Sequence, residues 1–237
     1  MKYTAVVLLV IVVAAQVCYI CYHYVYEKEG YHCDEVYSYA LANSFYRPYI
    51  ERDAVFSDEI YNVDEWLPGE VLHNYITVQQ GEQFRYDSVW YNQANDRHPP
   101  LFYAVIHTVC SFFPDTFSFW PGFILNLVYF VVMQIFFYKL IKTMLGSRYL
   151  ALAACLMFGF TSGTLSMVLY QRMYCMMTMW TVIFFYLHAR LYQTKESPRF
   201  RQLLPIILIT VCGALTQYLF LFAAFITAAG FCLYYLF

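Results

Sequence analysis

From Thr4 to about Tyr24 the chain runs without a single Asp, Glu, Lys or Arg, and a stretch of that length and apolarity can cross a bilayer as one helix. In hydrocarbon every backbone N–H and C=O must be satisfied within the protein, which favours a helix over any irregular path. Lys2 is the one charge ahead of the run. A cleaved signal peptide is the competing reading. The run is longer than a signal core, and Ala14-Ala15-Gln16 is followed by Val-Cys-Tyr-Ile-Cys-Tyr, so no small-x-small site with a polar follow-on appears. The expectation is an uncleaved anchor, with residues 1–24 as the first transmembrane helix.

The same argument extends to the second half. With 61% hydrophobic, 22% aromatic and 13% charged residues, the composition is that of a membrane protein. A span is expected from about Trp120 to Tyr138, with Pro121 at a helix start where proline is tolerated. Apolar runs follow from Tyr149 to about Leu169 and from Arg172 to His188. Leu203 to Phe237 holds enough residues for two more spans if the chain turns near Gln217-Tyr218. Lys139, Lys142 and Arg148 form one basic loop and Arg190, Lys195, Arg199 and Arg201 another, and both should be cytoplasmic by the positive-inside tendency. The Tyr170 to Tyr174 corner and the first loop then lie outside. The predicted fold class is an all-α membrane protein of multi-pass transmembrane helices with a large extracytoplasmic first loop. The expected division is a loop with interfacial helices at 25–118 and a bundle of about five further spans at 119–237. Because the chain stops inside an apolar run, it reads as the front part of a longer protein.

Fourteen of the 16 acids fall between residues 27 and 96, including the pairs Asp34-Glu35, Asp58-Glu59 and Asp64-Glu65. Within this region helices are expected from Asp34 and from Pro68 to Gln79, and Gly81 to Trp90 reads as extended or irregular. Leu101 to Phe113 is too short to span and predicts a helix along the interface, with His107 a satisfied interfacial residue. Six of the eight cysteines lie in or beside apolar runs, where a thiol behaves as a small hydrophobe; only Cys33 and Cys110 could face an oxidising compartment. No zinc spacing, glycine-rich phosphate loop or basic nucleic-acid stripe is present.

Three segments could carry chemistry. Asp96-Arg97-His98 precedes Pro99-Pro100, which hold the run extended before a helix that either proline can start, so an acid, a guanidinium and an imidazole are presented together. A surface loop capped by Asp96 is the plainer reading. Arg172 lies between two apolar runs, where a cation is costly unless it pairs with an acid or binds an anion; a hydrated turn with a snorkelling arginine is the alternative. Asp34-Glu35 follows the first span closely enough for the anchor to keep it near the same outer surface, although an N-cap role for Asp34 would also account for it. A carboxylate, a guanidinium and an imidazole suit group transfer from a phosphate-linked donor, the carboxylate taking a proton and the guanidinium holding the leaving phosphate. At a membrane face, that donor would be carried on a lipid.

Asp34-Glu35, Asp-x-His-Pro-Pro-Leu at 96–101, Gln-Arg-Met-Tyr at 171–174 and Leu-Thr-Gln-Tyr at 215–218, in that order, resemble the GT-C superfamily of membrane glycosyltransferases. The likeness is to the protein O-mannosyltransferase, family 39 type, and also to aminoarabinose transferases. It implies inverting transfer of a sugar from a polyprenyl-phosphate-linked donor to a hydroxyl of a protein, lipid or glycan acceptor, on the extracytoplasmic face and in a bacterial plasma membrane rather than the endoplasmic reticulum. By the same resemblance Asp34 takes the catalytic acid-base position beside Glu35, while Asp96, His98, Arg172, Tyr174 and Tyr218 meet the donor and its phosphate. Metal dependence varies in the superfamily; magnesium or manganese is allowed and no ion is assigned.

Two departures stand out. Many members of the family it resembles carry Arg-x-Pro at the start of the second span, where this chain has Phe119-Trp120-Pro121, and they run to about twice this length or more. The rival readings are a non-catalytic membrane scaffold, and a transporter or flippase for a lipid-linked sugar. For a transport path the proposed spans offer chiefly Asn126, Gln134 and the Ser/Thr cluster at 161–166.

Overall fold

Long uncharged runs without strict alternation favour helices, and helix is the only regular element among the residues that the computed structural model describes, 2–50, 65–194 and 199–236. In chain order these are α1 (Lys2–Tyr26), α2 (Cys33–Asn43), α3 (Gly69–Ile76), α4 (Tyr86–Ala94), α5 (Leu101–Cys110), α6 (Trp120–Leu145), α7 (Arg148–Gly159), α8 (Ser162–Leu169), α9 (Tyr174–Thr194), α10 (Phe200–Thr216) and α11 (Leu219–Leu236). Asp58-Glu59, Asp64 and Lys195 of the expected loops lie outside the described residues. By length and composition two helices, Thr4–Tyr26 and Trp120–Leu145, can cross a membrane, and the bent pair α7–α8 makes a third if it is one span. The chain divides into a first unit, Met1–Glu29 with Leu125–Phe237, and a second, Gly30–Ile124.

The first unit is joined by apolar packing and by a few buried amides. Leu9 and Val13 of α1, Tyr138 of α6, and Ala151 and Cys155 of α7 form one buried cluster. Beside it Gln134 Nε2 donates to Gln16 Oε1 at 3.0 Å, and Gln16 Nε2 donates to the Cys155 carbonyl at 2.9 Å. Interhelical amide bonds of this kind hold apolar helices together where the hydrophobic effect between them is weak. At the other end of α6, Asn126 Nδ2 donates to the carbonyls of Val168 and Tyr170. Near the end of α6, Gln193 of α9 donates to the Thr143 carbonyl.

The run expected as one continuous span from Tyr149 to Leu169 is instead two helices bent by 61°. The break is local chemistry: the Thr161 hydroxyl accepts from the Thr164 N–H, which makes it the N-cap of a new helix. The chain turns at Gln217-Tyr218, between α10 and α11, as expected. The spanning run from Trp120 continues past Tyr138 to Leu145, with Lys139 and Lys142 inside the helix.

In the second unit α2 packs on α3, α4 and α5. Tyr39, Phe102, Tyr103 and Ile106 are fully buried there, each burial being worth roughly 1.5–3 kcal/mol. Buried polar groups tie the helices together: Asn92 Nδ2 donates to the Leu41 and Ser44 carbonyls, Asn43 Nδ2 to the Ile76 carbonyl, and the Tyr39 hydroxyl accepts from the Gly122 N–H. Three expectations are corrected in this unit. The helix expected from Asp34 starts at Cys33, and its N-cap is His32. The stretch from Gly81 to Trp90 is not extended: Gly81 and Phe84, both at positive φ, turn the chain into α4, whose Ser88, Val89, Asn92 and Gln93 share one buried face at helical spacing. His107 is buried on α5, and in place of the expected satisfied ring it has only a poorly aligned interaction with the Ala42 backbone.

Candidate functional site

The sequence candidates fall into separate groups. Asp34, Glu35, Asp96 and His98 belong to the second unit; Arg172, Tyr174 and Tyr218 belong to the first.

At the start of α2, His32 Nδ1 accepts from the Asp34 N–H at 3.2 Å, and Glu35 Oε2 accepts from the His32 N–H at 2.9 Å. This reciprocal pair closes the first turn. It sets the two acids apart. Glu35 is buried with its carboxylate turned back onto the backbone, whereas Asp34 keeps a half-exposed carboxylate 3.7 Å from His32 Nδ1. Of the two, Asp34 is the one with a surface to offer a substrate.

His32 Nδ1, Cys33 Sγ and the Asp34 carboxylate lie within 4.8 Å of one another and could together hold a metal ion. An imidazole and a thiol with one oxygen suit a softer ion such as zinc; they do not fit magnesium or manganese, which take oxygen donors.

The Asp96 motif is a built pair. Asp96 Oδ2 lies 2.7 Å from His98 Nδ1, and Asp96 Oδ1 accepts from the Tyr49 hydroxyl at 3.0 Å. Burial by itself would raise the Asp96 carboxyl, but the hydrogen bonds from His98, the Arg97 backbone and Tyr49, with the His98 charge, outweigh it and hold the group below its ordinary value. The helix behind it starts at Leu101, directly after Pro100 and not on a proline. Arg97, between them, is exposed.

In the first unit, Arg172 is buried in the turn between α8 and α9, where its N–H donates to the Tyr170 carbonyl. Tyr170 and Tyr174 stack on either side of the turn, rings 6.1 Å apart and 9° from parallel. Both line a groove of about 660 Å³ with His23, Glu27 and Lys28 from the end of α1 and Gly163, Ser166, Met167 and Leu169 from α8. Lys28 Nζ donates to the Leu169 carbonyl at 2.7 Å, and His23 pairs with Glu27 at 2.6 Å. The groove thus has apolar walls and a cation at its rim. Tyr218 is exposed and is not among the residues lining it.

Lys28, His23, His32, Cys33 and Tyr49 were missed as site residues in the sequence. Lys28 had a signal, as the first base beyond the anchor; the others acquire a role only through geometry. No protein-family model, characterised protein or solved structure matches the chain.

Proposed function

We propose that this chain is a multi-pass membrane glycosyltransferase of the GT-C kind, using a polyprenyl-phosphate-linked sugar at the extracytoplasmic face of a bacterial plasma membrane. The observation that carries the reading is the groove at the end of α1. Its apolar walls suit an isoprenoid chain, and Lys28 with the Arg172 corner suits the phosphate to which that chain is joined. In this reading α9, α10 and α11 add spans to α1, α6 and α7–α8, and the second unit is the extracytoplasmic loop.

The division of labour follows from the chemistry of each group. The acceptor hydroxyl oxygen attacks the anomeric carbon, the bond from that carbon to the phosphate oxygen breaks, and configuration inverts. Asp34 takes the hydroxyl proton, and the lipid phosphate leaves as an anion. Asp96, paired with His98 and Tyr49, is a positioning group for the sugar or the acceptor. Glu35 positions Asp34 through the His32 cap.

The test is transfer of radiolabelled hexose from polyprenyl-phosphate-hexose to membrane-extracted acceptors by the full chain in vesicles. Asp34→Asn should lower transfer by about a hundredfold or more, the range of a lost general base, while membrane insertion is unchanged. Donor retention, read by native mass spectrometry, should fall in Lys28→Met and hold in Asp34→Asn. A wild-type chain that retains donor and transfers nothing would make it a binding or transport protein and sink the enzyme reading.

A further inference from the structure

The other end of the first unit carries a feature the transferase reading does not use. Lys28 and Leu169 meet at one end of α6, whose Asn126 holds Val168 and Tyr170, whereas Gln193 meets Thr143 near the opposite end of that 26-residue helix. At this second end lie Lys139 and Lys142 on α6, Arg148 opening α7, Arg190 on α9, and Arg199 and Arg201 at the start of α10. The described acids of the first unit, Glu27 and Glu29, are on the segment that reaches the groove end. Glu196 is the one acid in sequence between Asp115 and the last residue, and it lies outside the described residues.

Within this basic end α9 and α10 enclose a cleft of about 170 Å³, lined by Arg190, Thr194, Leu191, Arg201, Gln202 and Pro205. Two guanidiniums border it, and neither makes an ion pair among the described residues. Arg190 lies over the Tyr186 ring, 5.9 Å from its centroid. Gln202 Oε1 accepts from the Arg199 N–H at 2.9 Å, so its amide NH₂ remains a donor. The first turn of α10 has no acid, although helix N-termini favour one; Arg199 and Arg201 add to the positive end of the helix dipole where a carboxylate would offset it. Among the described residues no acid offsets this charge.

The surface below the cleft says which anion. Phe200 is 71% exposed, and Leu204, Leu208, Val211 and Leu215 follow on α10 at spacings of four, four, three and four, exposed by 42%, 56%, 49% and 37%. That is an apolar stripe down one face of the helix, beside the face on which Arg201 borders the cleft. A free phosphate would use the guanidiniums and leave the stripe in water. A phospholipid would use both.

We infer that the α9–α10 cleft is a head-group site for an anionic phospholipid, with the phosphate held by Arg190, Arg201 and Gln202 and the acyl chains lying along Leu204, Leu208 and Val211. Basic pockets between membrane helices bind acidic head groups in this way, and planar guanidiniums can engage two phosphate oxygens at once. The site rests on the membrane character of the chain and is independent of the transferase reading.

The test uses the full chain in nanodiscs of phosphatidylcholine with a minor fraction of phosphatidylglycerol, with retained lipid read by native mass spectrometry. Wild type should keep phosphatidylglycerol through delipidation that strips phosphatidylcholine. Arg190→Gln with Arg201→Gln should reduce retention about thirtyfold, the ratio two basic contacts near a membrane surface supply. Lys142→Gln with Arg148→Gln, which removes the same charge from the same end, should change it less than about threefold. Equal losses in the two pairs would mean a diffuse basic surface and would overturn the site, as would no loss in either. Should the arginine pair fail to fold, a photoactivatable phosphatidylglycerol on wild type decides: cross-links within 190–208 support the site, and cross-links elsewhere refute it. Inorganic phosphate that displaces the lipid from wild type would also refute it.

Discussion

Among the glycines of the first unit, Gly159 has the least room for a side chain. A Cβ built there would stand 2.2 Å from Cδ and Nε2 of Gln16 and 2.5 Å from Nε2 of Gln134. These are ends of side chains, which ordinarily move at little cost. Here both glutamines are fully buried, and they are tied to one another and to the Cys155 carbonyl. Moving them away from an alanine breaks bonds between α1, α6 and α7. Interhelical bonds in membranes average about 0.6 kcal/mol each, and overpacking adds about 1–3 kcal/mol. Gly159→Ala should therefore destabilise the chain by about 2–4 kcal/mol, read as the shift in reversible unfolding by sodium dodecyl sulfate in mixed micelles.

The cause can be separated from a general intolerance of α7. Gln16→Ala removes the nearer of the two groups the new methyl would strike, so in the double variant part of the alanine penalty should vanish. The cycle should show a favourable coupling of about 1–2 kcal/mol, within the range for residues in direct contact. If Gly159→Ala costs less than about 0.5 kcal/mol, or the two changes simply add, the close approach of α7 to the glutamine pair is not what fixes this residue as glycine.

Three further outcomes follow from the second unit. Asn92→Ala leaves the Leu41 and Ser44 carbonyls without their shared donor and should cost about 1–3 kcal/mol in thermal unfolding followed by ellipticity. Burial depresses His107, against smaller opposing effects of the Ala42 backbone and the Asp87 charge, so the folded chain resists protonating it. Unfolding takes up that proton once the pH falls below the ordinary value of 6.5, and stability should drop there; His107→Leu should flatten this limb and stabilise at neutral pH by about 1 kcal/mol. Asp96 has linkage of the same sign at lower pH: its carboxyl is held below the ordinary 3.8, so its contribution is complete above that pH and is lost as pH falls through the lower folded value. Asp96→Asn should remove that part of the acid loss, and an unchanged acid limb would show that the His98 and Tyr49 bonds do not hold the carboxylate ionised.

What could be read in the sequence depended on how local the cause was. The α1 and α6 runs were legible because a bilayer span is set by length and absence of charge, and both properties are carried by consecutive residues. The turn at Gln217-Tyr218 was legible for the same reason. The bend at Thr161 was not, because a threonine in an apolar run can either continue a helix or cap the next one, and the choice rests on its hydroxyl reaching Thr164. The α4 helix was hidden by Phe84, Tyr86, Trp90 and Tyr91, aromatic residues that favour strands in isolation. Burial of Val89, Asn92 and Gln93 on one face overrides that preference.

The candidate site divides along the same line. Asp34 and Glu35 look equivalent as neighbouring acids, and nothing in their order says which would meet a substrate. The His32 cap decides it, since bonding Glu35 to the backbone takes one carboxylate out of play and leaves the other half-exposed. Lys28 is similar: as a residue it is one more charge beyond an anchor, but a bond to Leu169, 141 positions later, makes it the rim of a groove. Chemistry that depends on a partner so distant along the chain has no periodicity to announce it. The same reasoning gives Lys28 a use as a probe, because Lys28→Arg keeps the charge while altering its reach. If the groove takes a phosphate, arginine should preserve donor retention that Lys28→Met loses; if Lys28 serves only to cap α8, both should behave alike.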